Sequence, residues 1–407
     1  MGINIISMIM LVIPPAITSE SSWTSPDIRI ATEWSLNVMD LIDPAYTHLG
    51  TVYEVESEEG FEWHTVLVDK NFVLLLEGDT VVNSIPYSGD IYIMTFSPDY
   101  RYLLGSCYND EKLILFDLEE GMVKSIHLFS SGMGFPGNPR IRVTNDGTVL
   151  VKHSTYLRMY DSDFNCILSR DNFSWGVEFV GLSEAGDRFY TTTYDSLRAY
   201  YMQGNLLWNT ELPEPHEFWG FRTREFELSN TGSFIAVSDF HKLHIISTDD
   251  GSQIAQFDLE ESISDPVFSE SDSIIAIDCM THPPTTPLSQ INSFGVRTVS
   301  LQNESYELNS QFQATSSLSE PGMPNSFSSY TVSDNGSLLG FLYYSPTFGR
   351  VTLLSRDMEI VWLSENLKQD GSWRFYFPSS KGLCSDDSGF WYFDGTSIHS
   401  CLIEEVY

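Results

Sequence analysis

A short pattern recurs eight times along the chain and limits the possible folds more than any other feature. Each copy has an apolar residue, then Ser or Thr, then two small or polar residues and usually Gly, before an apolar run. The first copy is imperfect, because Glu56 stands between the apolar residue and the serine. The copies are Val55–Gly60, Phe96–Tyr100, Val143–Gly147, Leu182–Gly186, Leu228–Gly232, Phe268–Asp272, Val332–Gly336 and Pro378–Gly382. Successive Ser or Thr residues are 40, 47, 39, 46, 40, 64 and 46 positions apart.

A period in the forties is the length of one four-stranded propeller blade, and the residues inside each unit fit such a blade. After Ser97 the sequence predicts strands over Tyr102–Ser106 and Leu113–Asp117, an acidic turn at Leu118–Gly121 and a strand over Val123–Leu128. Asp-Gly and Glu-Gly turns supply the positive φ that tight hairpins need. The inner strands are nearly all apolar, as expected where blades pack face to face. We therefore predict an all-β protein, a β-propeller of four-stranded antiparallel blades.

Two kinds of segment carry a resemblance to known propeller families. The turn at Ser97–Asp99 resembles those of tryptophan–aspartate (WD) repeats and of quinoprotein-like repeats, and the segments Gly204–Trp208 and Met358–Trp362 are similar to the outer-strand motif of quinoprotein repeats. The resemblance covers about residues 50–407 and implies the architecture alone, since propellers host many functions. A quinoprotein dehydrogenase would have a vicinal cysteine pair, which this chain lacks. We therefore carry over neither the quinone nor its calcium.

The number of blades has two solutions. Eight repeat units predict eight blades within residues 51–407. The alternative is seven blades, with the segment around Asp27 to Trp34 closing the ring as an extra strand. On either count residues 20–50 form an N-terminal segment that precedes the first blade.

The N-terminus predicts export. Residues Ile5 to Thr18 form an apolar run that contains Pro14 and Pro15. This run is too short and too broken for a membrane span and fits a secretory signal within residues 1–19, although no Lys or Arg precedes it. We therefore expect a secreted, periplasmic or cell-envelope protein without a membrane span in its mature chain.

The charge of the chain excludes several partners. The formal net charge is −35, from 56 acidic and 21 basic residues. Such a surface repels the phosphates of nucleic acids and anionic lipids, so we expect no nucleic-acid partner. The acidic residues also keep an exported protein soluble, and we expect a monomer. No cofactor is predicted, while a divalent cation remains an open possibility.

The cysteines do not form a metal motif, and their odd number leaves at least one thiol unpaired. We expect isolated thiols that are buried in the fold. A disulfide between Cys384 and Cys401, which fall in one repeat unit, is the alternative. The five are Cys107, Cys166, Cys279, Cys384 and Cys401.

One side of the ring is predicted to bind a partner. The loops that join strands two and three of a blade, and those that join successive blades, leave the sheets on the same side. They vary in length and carry aromatic and histidine side chains, which often mark a contact surface. The alternative is that these side chains cap the blade ends as small satellite cores. The predicted binding residues are Phe135, Trp175, His216, Trp219, Phe221, His282, Tyr344, Phe348 and Trp373.

Several short motifs suggest metal sites but fit structural roles better. His241 and His244 are three residues apart on a predicted strand, where they point to opposite faces. Asp161–Asp163 and Asp386–Asp387 lack the twelve-residue loop with a terminal Glu that calcium sites use, so we interpret them as hairpin-turn acids. No metal ligand is predicted.

No catalytic motif occurs, so no catalytic residue is predicted and an enzyme is the less favoured interpretation. The repeat turns differ from the sialidase Asp-box by one residue of spacing and by a missing Trp. Our first hypothesis is a non-enzymatic binding or scaffold protein that recognises a protein, peptide or glycan through the aromatic loops. One alternative is a hydrolase or lyase with acidic residues and His216 or His282 above the central channel. Another is a structural envelope component.

Overall fold

The computed structural model describes most strands of the chain and the turns between many of them. The described residues are 23–24, 28–37, 41, 48–57, 60–107, 112–128, 140–153, 156–170, 180–183, 186–192, 196–212, 217–218, 221–222, 225–239, 241–259, 262–269, 271–281, 293–301, 307–315, 326–333, 338–344, 349–355, 360–363, 373–375, 389–393 and 397–405. Residues 1–19 lie outside this set, so the signal segment stays a prediction. Among the described residues no helix is both long and apolar enough to span a membrane.

Seven sheets of four consecutive antiparallel strands form blades 1 to 7. Blade 1 has β3 (His48–Ser57), β4 (Gly60–Val68), β5 (Phe72–Glu77) and β6 (Thr80–Pro86), and blade 2 has β7 (Ile91–Phe96), β8 (Tyr102–Cys107), β9 (Lys112–Asp117) and β10 (Met122–Leu128). Blade 3 has β11 (Arg140–Val143), β12 (Val149–His153), β13 (Tyr156–Tyr160) and β14 (Cys166–Arg170), and blade 4 has β15 (Val180–Leu182), β16 (Arg188–Thr192), β17 (Ser196–Tyr201) and β18 (Leu206–Glu211).

The remaining blades repeat this order. Blade 5 has β21 (Glu225–Leu228), β22 (Phe234–Asp239), β23 (Lys242–Ser247) and β24 (Gln253–Asp258), and blade 6 has β25 (Ser262–Phe268), β26 (Ile274–Thr281), β27 (Ser293–Ser300) and β28 (Glu307–Thr315). Blade 7 has β29 (Ser326–Val332), β30 (Leu338–Tyr344), β31 (Gly349–Ser355) and β32 (Ile360–Leu363). A small hairpin of β19 (Glu217–Phe218) and β20 (Phe221–Arg222) lies between blades 4 and 5.

Chain termini complete the ring through a further sheet, which we call the closing sheet. It contains β34 (Gly389–Phe393), β35 (Ser397–Glu405) and the N-terminal strand β2 (Ile28–Asn37) in the order β2-β35-β34. Two short strands extend blades at their edges: β1 (Trp23–Thr24) pairs with β32 of blade 7, and β33 (Trp373–Phe375) pairs in parallel with β3 of blade 1.

The structure therefore has seven four-stranded blades, the alternative count, rather than eight. After blade 7 the chain adds the three-stranded closing sheet, in which β2 from the other end of the chain pairs with β35, in place of a further sheet of four consecutive strands. The predicted ring-closing segment around Asp27 to Trp34 overlaps β2. The eighth repeat, Pro378–Gly382, lies outside the described residues.

The hydrophobic core is divided among the interfaces between neighbouring blades. Between blades 2 and 3, Tyr102 and Leu113 pack against Ile141 and Val149. The second and third strands are buried on both faces, since every residue of β8 is buried, as is β9 apart from Lys112. These strands are accordingly apolar throughout rather than alternating, as the repeat predicted.

The outermost pair of strands is irregular in every one of the seven blades. Each pair of third and fourth strands contains a register shift, for example between Val123 and Ser125 in β10. The pairs of second and third strands keep a continuous register. Bulges increase local twist, and a twisted edge is a poor template for another strand. The irregular outer strands thus protect the edges of the blades against pairing with a strand of another chain.

Three cysteines are buried and one is exposed. Cys107, Cys279 and Cys401 are buried, as predicted for structural thiols, whereas Cys166 lies exposed on the outer strand β14. Cys384 lies outside the described residues, so its pairing with Cys401 stays a hypothesis.

Candidate binding face

The repeated serine or threonine closes the first hairpin of a blade. In blade 5, the buried Ser229 hydroxyl accepts a hydrogen bond from the Phe234 amide at 3.0 Å, while the Ser229 amide donates to the Phe234 carbonyl. The equivalent hydroxyl accepts from the amide four or five residues ahead in blades 2, 3, 4, 6 and 7. The recurring Ser or Thr therefore fixes the first hairpin of each blade, an arrangement that we call the hairpin lock. This structural role accounts for the recurrence of the residue without a role in catalysis.

Neighbouring turns on this side are also bonded to one another. Both carboxylate oxygens of Asp272 in blade 6 accept bonds from blade 5, at 2.7 Å from each of the Asn230 and Thr231 amides. The Asp99 amide donates to the Asn145 side chain of the next blade at 3.0 Å. We call this side of the propeller the turn face. Many of its polar groups are bonded within the protein.

The opposite side, the loop face, has connections of more variable length. First and second strands of blades 2 to 7 are joined by five residues each, as at 97–101 and 229–233. By contrast, the connections at the loop face include 129–139, 171–179, 282–292, 316–325 and 364–372. Other connections at the loop face have only two residues, at 154–155 and 240–241, so the variation in length falls on this side, as the sequence predicted.

The structure describes three of the nine predicted binding residues, and these three only at the backbone. Phe221 lies in β20 opposite Phe218, Tyr344 ends β30 opposite Gly349, and Trp373 begins β33 opposite His48. They belong to three different sheets. The other six, Phe135, Trp175, His216, Trp219, His282 and Phe348, lie outside the described residues. The aromatic face stays a prediction.

The first strands of the blades surround the central channel. Contacts between neighbouring first strands link β3 to β7, β7 to β11, β11 to β15, β21 to β25 and β25 to β29. Two of these strands have like charges at every second position: Arg140 and Arg142 on β11, and Glu225 and Glu227 on β21. These residues were not among the predicted binding residues, although the patterns Arg-Ile-Arg and Glu-Phe-Glu indicate strands with one charged side.

Electrostatic coupling connects these charges across the channel. Burial lowers the pKa of the Arg142 guanidinium, Glu227 of blade 5 opposes that shift, and Arg140 adds to it. Arg142 also donates to the Ile141 carbonyl at 3.0 Å. Blades 3 and 5 are not adjacent, so the inner surface of the ring is an environment with charges of both signs.

His244 and Asp161 have hydrogen bonds to neighbouring residues, whereas His241 lies in the turn before β23. His244 is buried in β23, and its Nδ1 lies 2.8 Å from the Gln253 side chain. Asp161 accepts bonds from the amides of Asp163 and Asn165 in its own hairpin turn. Within the described part of the chain, no group of three His, Cys, Asp or Glu residues could hold a metal ion. Asp386–Asp387 lies outside that part.

No protein-family model matches the chain, and no curated protein matches it. Among solved structures, the C-terminal WD40 domain of Sif2 is similar with a TM-score of 0.57 and 9% identity, over 92% of this chain and 98% of that domain. The chain has the fold of a β-propeller.

Two other solved structures give weaker matches. The β-propeller domain of Cps50 (Swd1) from Myceliophteria thermophila has a TM-score of 0.49 and 14% identity, over 79% of this chain and 98% of that one. Hydrazine synthase of Kuenenia stuttgartiensis has a TM-score of 0.48 and 14% identity, over 78% and 95% of the two chains. At 9% identity the likeness to the Sif2 domain shows the fold alone, since one propeller scaffold hosts many activities.

Proposed function

We propose that this propeller is a non-enzymatic binding scaffold that recognises a protein or peptide through its loop face. The observation that carries the proposal is the difference between the two faces. The turn face consists of short hairpins whose amides and hydroxyls bond to one another. The loop face has the long connections, and long loops on a rigid scaffold are where binding residues concentrate.

The composition of the loop-face connections supports a partner with apolar side chains. They contain Trp175, Trp219 and Phe135, and Trp373 begins a strand beside them. Tryptophan residues are enriched among those that dominate binding energy at protein interfaces. We favour protein over nucleic acid because a net charge of −35 repels phosphates.

The test is a selection of random phage-displayed peptides on the immobilised propeller, followed by affinity measurement with the selected peptides in solution. Trp219→Ala combined with Trp373→Ala should weaken binding by about thirty-fold, the loss expected for removal of hot-spot residues. The matched control is Ile126→Ala on the outer strand β10, where the side chain is 54% exposed. This control should bind as the wild type does.

Three outcomes separate the hypotheses. Unchanged peptide affinity in the double tryptophan variant would contradict the loop face as the binding surface. Binding on a glycan array without any peptide binding would favour a glycan partner. Cleavage or other modification of a selected peptide during the measurement would favour the enzyme hypothesis.

A further inference from the structure

The innermost strands of blades 3, 4 and 5 share one pattern of side-chain direction. In each strand the residue just before the Ser or Thr of the hairpin lock packs against the preceding blade: Val143 against blade 2, Leu182 against blade 3 and Leu228 against blade 4. Residues at alternate positions of a strand point to opposite faces of the sheet. The residues two and four positions before the lock therefore project from the other face, where the innermost strand borders the central channel.

These positions hold charges of opposite sign in blades 3 and 5. Arg142 of blade 3 and Glu227 of blade 5 lie two positions before the lock, and Arg140 and Glu225 lie four positions before it. The common register with the lock places each Arg at the same depth in the ring as one Glu. Blade 4 stands between these two blades and has Gly181 two positions before its own lock. No side chain of blade 4 therefore separates the charges at that depth.

The four charges form two levels at the loop-face end of the channel. Arg140 and Glu225 are the first residues of β11 and β21, and both are exposed. Arg142 and Glu227 are half-buried, and they lie about 7 Å deeper, which is the rise of a strand over two residues. The channel thus has a cationic side on blade 3 and an anionic side on blade 5 at both levels.

The cationic and anionic sides are close enough to interact. Arg142 donates to the Ile141 carbonyl at 3.0 Å, and its guanidinium also interacts electrostatically with the Glu227 carboxylate of blade 5. Charges in salt solution are screened beyond about 10 Å, so the gap between the two sides has the size of a small molecule. An α-helix, with a diameter of about 10 to 12 Å, is too wide for this gap.

We propose that this end of the channel binds a small zwitterion, a molecule with one carboxylate and one ammonium group such as a free amino acid. The ligand carboxylate lies against Arg140 and Arg142, and the ligand ammonium group lies against Glu225 and Glu227, since both contacts are charge-assisted hydrogen bonds. Each protein carboxylate accepts several hydrogen bonds at once, so the site does not require an unbonded group.

The balance of charge in the lining selects this class of ligand. The four side chains carry two charges of each sign, so a ligand of one sign matches one side and leaves the other unmatched, whereas a zwitterion matches both. The net charge of −35 also repels an anion from the protein but not a molecule without net charge. The site goes beyond the peptide recognition proposed above, because its ligand is a small molecule inside the channel.

The test is isothermal titration calorimetry of the full chain with glycine, β-alanine, γ-aminobutyrate and ε-aminocaproate, whose carboxylate and ammonium groups are progressively farther apart. We expect saturable binding that is tightest at one member of the series, because both groups must reach their own side of the channel. Acetate and ethylammonium each carry one of the two charges. They should bind at least about tenfold more weakly than the best zwitterion, since each loses one set of charge-assisted hydrogen bonds.

Variants with neutral side chains assign the binding to the two sides of the channel. Arg140→Gln and Glu225→Gln should each weaken binding of the best zwitterion by about tenfold. Both residues are exposed, so these variants should fold as the wild type does. Lys124→Gln and Glu211→Gln are the matched controls, because they remove one charge of each sign from exposed positions on the outer strands β10 and β18. The controls should keep the wild-type affinity.

Three results would overturn the proposal. These are no saturable binding of any zwitterion in the series, equal affinities for acetate, ethylammonium and the best zwitterion, or an unchanged affinity in both Arg140→Gln and Glu225→Gln. Thermal unfolding of each variant checks that it is folded, and Arg142→Gln repeats the test at the deeper level. Peptide affinity measured on the same variants distinguishes a failure of this site from a failure of the loop-face scaffold function.

Discussion

Ser229 provides the sharpest test of the hairpin lock at the scale of one residue. Ser229→Ala leaves the Phe234 amide without the hydroxyl that accepts its hydrogen bond at 3.0 Å. We expect the free energy of unfolding to fall by about 1 to 2 kcal/mol, the usual effect of leaving a buried donor unsatisfied. Urea denaturation followed by tryptophan fluorescence measures this change.

Ser229→Thr is the matched control for that substitution. Thr144 fills the same position in blade 3, where its hydroxyl accepts a bond from the Thr148 amide at 2.9 Å. The threonine variant should therefore keep most of the stability. Equal losses in the alanine and threonine variants would indicate that packing, and not the hydroxyl, stabilises the turn.

The sequence predicted the glycine of this turn but not its exceptions. Gly147, Gly186 and Gly232 have the positive φ that was expected, yet Tyr100 and Asp272 stand at the same position with φ values of 57° and 59°. Both make contacts with another blade that can offset the strain. Asp272 bonds to the turn of blade 5, and Tyr100 stacks on Tyr53 of blade 1 with ring centroids 4.1 Å apart. Such compensation joins distant residues and is invisible in a local pattern.

At the scale of elements, a glycine marks a close approach between the last turn of one blade and the outer strand of the preceding blade. Gly251, in the last turn of blade 5, has a φ of +73°, and a methyl group there would lie 2.6 Å from the Trp208 ring of blade 4. The Trp208 indole donates to the Thr248 carbonyl of the same turn at 2.9 Å. The turn that contains Gly251 and the strand that contains Trp208 therefore pack tightly against each other. We call this contact the joint between blades 4 and 5.

Gly251→Ala should weaken this joint beyond the cost of backbone strain. Gly186 has a similar φ of +66°, but a methyl group there would meet only Thr144 at 3.3 Å, so Gly186→Ala is the matched control. We expect the control to lose about 1 kcal/mol from its positive φ and Gly251→Ala to lose at least about 2 kcal/mol. Thermal unfolding of both variants measures the difference, and equal losses would contradict the joint.

The sequence predicted elements well inside blades and poorly between them. The strands predicted over Tyr102–Ser106 and Leu113–Asp117 agree with β8 and β9 to within one residue. The parallel pairing of β33 with β3 was not predicted, because it joins residues more than three hundred positions apart. Arg140 and Arg142 on β11 were missed for a related reason: the apolar repeat indicated strands but not the direction in which their charged residues point.

At the scale of the whole molecule, the stability of the ring should depend on β2. This strand pairs with β35 from Ile28 opposite Glu405 to Asn37 opposite Ser397, and Leu36 is buried against Trp391 and Ile398. A chain that begins at residue 39 loses these contacts. We expect its free energy of unfolding to fall by at least about 2 kcal/mol, which is the value of burying one leucine side chain.

A chain that begins at residue 26 is the matched control, because it keeps β2 and should be nearly as stable as the full chain. Differential scanning calorimetry measures both. A synthetic peptide of residues 26–38, added to the shorter chain, should restore part of the loss by mass action. Equal unfolding midpoints for the two truncated chains would contradict the closure by β2.

The blade count shows why this closure could not be predicted from the repeat alone. Eight copies of a local pattern indicate eight units, yet they do not show that the last unit is completed by a strand from the other end of the chain. The binding face has a similar limit. Connection lengths indicate which side is elaborated, but the sequence cannot show whether Trp175 or Trp219 points to solvent or into a blade end.

The pairing of β2 with β35 also sets an order in time. Blade hairpins join neighbours in sequence and can form as soon as each unit leaves the ribosome, whereas Asn37 and Ser397 are 360 residues apart. At a synthesis rate of about 5 to 20 residues per second, β2 waits roughly 20 to 70 seconds for its partner. Throughout that interval the ten residues of β2 have no strand to pair with. The nascent chain is therefore most prone to misassembly at its N-terminal strand.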